Sequence, residues 1–271
     1  MTYKNRENYV NAPLALVTVE IKLNYDPRAN LPAVRDEFGL AVRPEFPVLS
    51  VENVVNFSLQ LPAGTSEQQI IPQMRATNAA RTATVALNPN SMQLTVLGEA
   101  YQGYESFAPI LQTCLDALEA VLPDAGIERL GIRFLNEVRV AGAVNTAEDW
   151  SRWVNAALVA PTGAFEDGES LQVRGNTVFA SGDDCQVNFQ WGDFEGRTVV
   201  ADDLPLAKPE RESSKFFILD VDSAWQAPEY TVLSAGDMAR RIDALHTPIG
   251  SIFQWAITEE SREVFRGNIN V

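Results

Sequence analysis

The sequence predicts an α+β protein in which helices cover one face of an antiparallel sheet. Most segments between turns alternate apolar with polar residues, as strands with one buried face do. Residues 104–122 and the stretch after Ser234 carry apolar side chains at helical spacing. The elements of the second half repeat the order of the first half. Together these patterns favour a two-layer α+β architecture over an all-β or doubly wound fold.

The first half opens with an alternating segment in which Val17, Val19 and Ile21 share one face. A short helix follows, with Asn30 as its predicted N-cap. Residues 62–76 are predicted to be a linker that contains a helical turn. The predicted strands are 14–25, 54–61, 81–87 and 92–98, and the predicted helices are 31–38 and 104–122.

The second half opens with the segment RLGIRFLNEVRV at 129–140, in which Leu130, Ile132 and Phe134 alternate with polar residues. A helix is predicted over 147–158, capped by Thr146 and with Asp149 in its first turn. The last helix is predicted to be interrupted at Pro248. The remaining predicted strands are 171–179, 185–191 and 215–222.

Both halves therefore follow the order β-α-β-β-β-α, and the halves are expected to be residues 1–125 and 126–271. Two such units can join edge to edge into one long antiparallel sheet with the helices on a single face. The saddle of the TATA-binding protein and helix-grip proteins have this kind of layout. The comparison concerns the fold and carries no function.

Composition excludes several classes of function. The formal net charge is -15, and a chain this acidic repels the phosphates of nucleic acids and the surface of anionic membranes. The longest apolar runs, such as 14–21, are too short to span a bilayer, and the N-terminus has no apolar core like that of a secretory signal. Two cysteines, Cys114 and Cys185, do not form a disulfide framework, so a cytoplasmic protein with inert, buried thiols is expected.

Several segments together resemble a sporadically distributed family of uncharacterised prokaryotic proteins. The resemblance covers nearly the whole chain in order and implies spread with mobile elements, as in phage-defence or toxin–antitoxin neighbourhoods. It implies no activity and no catalytic residues. The segments that carry it are YVNAPLALVTVEIKL at 9–23, YQGYESFAPIL at 101–111, RLGIRFLNEV at 129–138, LDVD at 219–222, and ALHTPIGSIFQWAIT at 244–258 with the trailing Arg262.

The sequence holds no nucleotide-binding, zinc-protease or serine-hydrolase motif. Its single histidine, His246, excludes a multi-histidine metal site within one chain, and a serine triad would have to use this residue. We favour the interpretation that His246 is a histidine near a helix end, where the helix dipole stabilises its charged form. No cofactor is expected.

Asp220 and Asp222 lie two residues apart on a predicted strand and therefore project from the same face. They could hold Mg²⁺ or Ca²⁺ together with Glu137, which would suit a metal-dependent hydrolase or nuclease. The favoured alternative is that both carboxylates face solvent or pair with Arg133 and Arg139. No metal ligand is therefore assigned.

The outward face of the sheet is predicted to be rich in neutral hydrogen-bonding side chains, with fewer charges than a merely solvated face carries. Such a surface suits recognition of a polypeptide as well as it suits an ordinary wet face. The residues chosen as candidates for binding are Gln60, Arg133, Glu137, Asn188, Gln190, Asp220 and Asp222.

These patterns favour a non-enzymatic cytoplasmic protein that uses its polar sheet face to bind a macromolecular partner, in the first place a protein. One alternative is the metal-dependent hydrolase or nuclease centred on Asp220 and Asp222. Another is an acidic decoy that mimics nucleic acid, which depends only on the charge of -15.

Overall fold

The computed structural model describes one chain with a single large sheet. The described residues are 7, 9–60, 65–140, 144–164, 168 and 170–269, and the side chains of 55–60 and 65–69 are outside the description. Predictions that concern the side chain of Gln60 therefore lie outside the described residues.

The described strands form one nine-stranded antiparallel sheet with the order β2-β3-β4-β5-β1-β6-β9-β8-β7. The strand β1 (Leu14–Leu23) pairs with β5 on one side and with β6 on the other, so β1 and β6 form the centre of the sheet. The other strands are β2 (Val48–Gln60), β3 (Thr65–Thr77), β4 (Ala83–Asn88), β5 (Ser91–Leu97), β6 (Gly126–Val138), β7 (Arg174–Ala180), β8 (Cys185–Gly196) and β9 (Ser214–Val232).

The described helices pack on one face of this sheet. They are α1 (Pro32–Val42), α2 (Tyr104–Val121), α3 (Ala235–Ala256) and α4 (Glu259–Phe265). The apolar stripe of α2, which includes Leu111, Leu115 and Leu118, packs in the same core as Ile132 and Val221 from the central strands. This core confirms the α+β class and the antiparallel sheet with an apolar face that the alternation predicted.

The opposite face, which we call the polar face, is covered by no described helix but is crossed by residues 197–213. This segment, the cross-sheet loop, joins β8 to β9. It reaches the turn between β3 and β4, where the backbone N–H of Ala207 donates to the carbonyl of Arg81 at 2.7 Å. Its Val200 and Leu206 pack on Leu16, Leu97 and Leu135 in a small second apolar cluster. This loop therefore closes one end of the polar face, and no other described segment crosses it.

The predicted helix over 147–158 is wrong. The chain forms short 3₁₀ turns instead, at Glu148–Arg152, Ala156–Leu158 and Ala160–Ala164. Asp149 does accept the backbone N–H of Thr146 at 2.8 Å, as a residue of a capping box would. However, the side chain of Asn155 accepts the N–H of Ala157 at 3.0 Å and begins a new turn, which stops the first one.

The prediction of a linker over 62–76 is wrong for its described part, because β3 spans Thr65–Thr77. Pro72 is tolerated in β3 because its partner on one side is β2, whereas β4 pairs only with Met74–Thr77. The first half therefore contains one more strand than the predicted order. Asn30 is also not the N-cap of α1, because it ends a 3₁₀ turn and Leu31 precedes the helix.

The predicted interruption at Pro248 is wrong as well, since α3 continues through it to Ala256. A proline inside a helix frees the carbonyl four residues earlier. Here that carbonyl belongs to Ala244, an exposed residue that water can reach. No described helix is both long enough and apolar enough to cross a bilayer.

Candidate functional site

The polar face is organised around one continuous row of residues that crosses the sheet. The strand register places Thr77, Thr84, Thr95 and Thr18 side by side on β3, β4, β5 and β1. Their hydroxyls are in hydrogen-bond contact in pairs, at 3.2 Å between Thr77 and Thr84 and at 3.3 Å between Thr18 and Thr95. These threonines therefore satisfy one another on a face with no helix over it.

The row continues from Thr18 to the central charged residues. Arg133 on β6 lies opposite Thr18, Asp222 on β9 lies opposite Arg133, and Asn188 on β8 lies opposite Asp222. In the next row Gln190 lies opposite Asp220. Five of the residues that the sequence indicated are thus neighbours on three adjacent strands.

Arg133 and Asp220 form a two-pronged ion pair. The Nε and Nη2 atoms of Arg133 donate to the two oxygens of Asp220 at 2.7 and 2.6 Å. The Asp220 side chain is only 8% exposed, while that of Arg133 is 49% exposed. This bond raises the pKa of the Arg133 guanidinium. Because the buried carboxylate fixes the arginine, the exposed edge of the guanidinium is held in one orientation.

Asp222 pairs with Arg129, an arginine that the sequence analysis did not single out. One Nη atom of Arg129 donates to Asp222 at 2.7 Å and the other to Glu20 at 3.1 Å. Residue 131 is a glycine, which leaves room for the side chain of Arg129. A Cβ at this position would lie only 2.7 Å from Nη1 of Arg129. Arg139, which was expected to pair with one of these aspartates, pairs with Glu137 instead, at 2.9 Å.

A groove with a volume of about 350 Å³ lies on the polar face beside Asp220. Arg133, Gln190 and Asp220 line it together with Arg174 and Phe194. The guanidinium of Arg174 lies 4.1 Å from the centre of the Phe194 ring. Its aliphatic stem lies over Gly192, where a Cβ would come within 2.7 Å of it. Among the described residues, no carboxylate forms an ion pair with Arg174.

Glu137 lies on the same face but under the cross-sheet loop. Its side chain is only 2% exposed. One oxygen accepts the hydroxyl of Thr198 at 2.7 Å and the backbone N–H of Val199 at 2.6 Å. The other oxygen accepts hydrogen bonds from Arg139 and from Arg211, at 2.9 and 3.3 Å. All these contacts make Glu137 the buried anchor of the loop.

The sequence matches no protein-family model and no curated protein.

The geometry gives the metal-site alternative no support. Asp220, Asp222 and Glu137 each bind arginine, so their charges are already balanced by the protein. Among the described residues, no three His, Cys, Asp or Glu side chains are grouped so that they could hold a metal ion. The favoured interpretation of the aspartates, as partners of arginine, is correct for Arg133 and wrong for Arg139.

Gln60 is not near the other candidates. It lies on β2, the edge strand at the far side of the sheet, where its backbone is in register with Thr65. Conversely, Arg129, Arg174 and Arg211 were not among the residues that the sequence indicated. Strand pairing places Arg129 and Arg174 on the polar face, and the cross-sheet loop places Arg211 beside it. A single sequence does not show these positions, because it does not show which strands are neighbours.

His246 is also placed differently from the expectation. It lies well inside α3, since this helix continues to Ala256, and the interpretation as a helix-end residue is wrong. Its ring stacks between those of Tyr104 and Phe134, with centroid distances of 4.8 and 5.2 Å. His246 is therefore part of an aromatic stack on the helix side of the sheet, away from the polar face.

Proposed function

We propose that this chain is a non-enzymatic binding or regulatory protein that recognises a protein partner through the polar face, at the groove beside Arg133 and Arg174. The observation that carries the proposal is the positioned guanidinium of Arg174, which forms an ion pair with no carboxylate of the described residues, next to the half-exposed guanidinium of Arg133. Among the described residues that line the groove, Arg133, Arg174 and Asp220 carry charge, and their sum is +1 on a chain of net charge -15.

This positive charge favours a partner that presents a carboxylate. An arginine held by a ring and by a glycine contact loses little freedom when it binds, and its planar fork fits a carboxylate. Gln190 supplies neutral donors and acceptors beside it, which suit the backbone of a polypeptide. The partner is therefore a protein that presents an acidic side chain or its C-terminal carboxylate to the groove.

We also make a proposal about the arrangement of the sheet. We infer two tandem halves, residues 1–125 and 126–271, that form a saddle-like sheet. The strand order supports this, because β5, β4 and β3 follow outward from β1 as β9, β8 and β7 follow outward from β6. The helices α2 and α3 close the strand series of the two halves and pack on the same face.

The setting of the protein is inferred as well. Cys114 and Cys185 are both free thiols, which supports a cytoplasmic location. The resemblance of the sequence to a sporadically distributed prokaryotic family supports a role in phage defence or in a system like toxin–antitoxin pairs.

Site-specific photocrosslinking tests the proposed function. A benzophenone amino acid is placed at Gln190, which is exposed on the polar face, and in a matched control at Glu37, which is exposed on α1 across the sheet. In a lysate of the native host we expect a discrete protein adduct from position 190 only. The Arg174→Glu charge reversal should abolish this adduct, because it turns the attraction for a carboxylate into repulsion.

Three outcomes would overturn the proposal. The first is equal crosslinking from both positions. The second is an adduct that survives Arg174→Glu. The third is an adduct with nucleic acid in place of protein, which nuclease treatment would remove. An adduct that also resists high salt would count against the acidic-decoy alternative, because attraction between charged surfaces is screened by salt.

A further inference from the structure

A second concave site lies at the end of the sheet where β1 begins and β6 ends. It is a cleft with a volume of about 1100 Å³. The start of α2, the middle of α3 and the end of α4 surround it, together with the segment before β1. Ligand sites usually have volumes of about 300–1,000 Å³, so this cleft has room for a small organic molecule.

Much of the cleft wall is aromatic. Tyr104, His246 and Phe134 form the stack described above, and Tyr101 meets Phe134 edge to face at a centroid distance of 5.4 Å. A second cluster lines the cleft where the ring of Tyr9 contacts Phe265 at 5.8 Å and Phe253 at 6.2 Å. Rings packed in this way present flat, rigid surfaces against which another ring can lie.

The charged side chains that line the cleft are Glu7, Glu99, Glu105, Glu137, Arg139 and Arg211. Their formal charges sum to -2, so the two arginines are the groups in this lining to which an anion could bind. Arg139 is fully engaged, because it donates to Glu137, to Ser214 and to the carbonyl of Arg197. Arg211 is 45% exposed and, among the described residues, makes a single hydrogen bond, to Glu137 at 3.3 Å. The remaining donors of Arg211 are available to an anion.

We propose that this cleft binds a small organic anion with an aromatic body, whose acidic group is bound by Arg211 and whose ring lies against the aromatic wall. The two parts of the ligand correspond to the two parts of the cleft lining. The proposal is independent of partner binding on the polar face, because Arg174 and Gln190 do not line this cleft.

Two fluorescent probes of similar shape test it. The first is 8-anilinonaphthalene-1-sulfonate, an aromatic anion, and the second is N-phenyl-1-naphthylamine, which has the same rings without the sulfonate. We expect saturable binding of the anion to the wild-type protein. Arg211→Gln should weaken the anion by at least about tenfold, the loss expected for one charge-assisted hydrogen bond, and should leave the neutral probe nearly unchanged.

Two further variants locate the site. Tyr104→Ala removes one ring of the wall and should weaken both probes. Arg43→Gln removes an exposed arginine at the end of α1 and should change neither. Circular dichroism confirms that each variant is folded. Lack of saturable binding by the wild-type protein, or equal binding of the anion to wild type and Arg211→Gln, would overturn the proposal.

Discussion

At the scale of single residues, the polar face depends on which carboxylate each arginine binds. Asp220 is nearly buried and has Arg133 as its partner, while Asp222 is less buried and shares Arg129 with Glu20. A buried carboxylate that loses its partner keeps the cost of its desolvation. The two aspartates, although two residues apart, should therefore respond differently to substitution of their arginines.

We predict that Arg133→Ala lowers the free energy of unfolding by about 1–3 kcal/mol, because it leaves the carboxylate of Asp220 unpaired. Ile132→Ala should lower the free energy of unfolding by about 2–5 kcal/mol, because it leaves a cavity in the core. The loss for Arg133→Ala should therefore be smaller than the largest values in that range. In the double variant Arg133→Ala/Asp220→Asn much of the loss should be recovered, since the unpaired charge is gone. Urea unfolding of the wild type, of the single variants Arg133→Ala, Asp220→Asn and Ile132→Ala, and of the double variant measures these values. Strict additivity of the two single losses would contradict the coupling of this pair.

Other residues show what the sequence could not settle at this scale. Cys114 is fully buried, as expected, and burial raises the pKa of its thiol, which keeps it unreactive. Cys185, expected to be buried, is only half-buried. The apolar stripe of α2 fixed the position of Cys114, whereas Cys185 lies on β8 next to the edge strand, where the depth of burial depends on what covers it.

At the scale of elements, the cross-sheet loop separates the open part of the polar face from the aromatic cleft. Val199 lines the groove, while Thr198 and Val200 line the cleft. The same loop is tied to the sheet by Glu137 and by the backbone contact between Ala207 and Arg81. The shape of both concave sites therefore depends on the anchoring of this loop.

We predict that Glu137→Ala releases the cross-sheet loop while the sheet stays folded. Limited digestion with trypsin should then cut after Arg197 or Arg211 much faster than in the wild type, because local opening exposes the backbone. The matched control is Asp202→Ala, which removes a fully exposed carboxylate from the same loop and a contact of 3.4 Å to Lys208. Equal cleavage rates in both variants would show that Glu137 is not the anchor.

At the scale of the whole molecule, many ion pairs tie distant parts of the chain together. Arg152 binds Glu260 on α4, and Arg266 after α4 binds Glu7. The bond from Arg266 lowers the pKa of Glu7, and the bond from Arg152 lowers that of Glu260. The bond from Arg28 lowers the pKa of Asp26, whose carboxylate also accepts the backbone N–H of Arg28 at 2.9 Å.

These shifts predict how stability depends on pH. A carboxyl whose pKa is lowered in the folded state stabilises the fold above its unfolded value, and the contribution is lost as the pH falls through the folded pKa. The usual values are 3.8 for Asp and 4.5 for Glu. Urea unfolding at constant ionic strength should therefore show nearly constant stability between pH of about 7 and about 5, and a fall below about 4.

A single variant tests the origin of this fall. Asp26→Asn should be less stable than the wild type at pH of about 7, and the difference should be smaller at pH of about 2.5, because the carboxyl of Asp26 loses its charge as the pH falls through its lowered pKa. A difference that is the same at both pH values would mean that the charge of Asp26 does not contribute. Asp26 suits the test because it is nearly buried beside an arginine two residues away.

The sequence by itself determined the elements with strong periodicity. The alternation in 14–25 and 129–140 and the apolar stripe in 104–122 predicted β1, β6 and α2, because one face of each element is buried whichever elements lie beside it. It failed where burial is weak or where local hydrogen bonds compete, as in β3 and in the 3₁₀ turns after Thr146. In these segments, pairing with another strand or a side-chain bond to the backbone decides the structure.

Only the tertiary structure decided which polar side chains meet. Arg133 was recognised on its strand, but only the structure shows that Asp222 lies directly opposite it in the register and that the ion pair forms with Asp220, one row further along. Arg174 lies on the edge strand β7, and Arg211 lies in the cross-sheet loop. The apolar pattern of a strand shows which of its faces is buried, because burial depends on the residue itself. The pattern does not show which strand lies beside it in the sheet, because strand pairing depends on contacts between residues far apart in the chain.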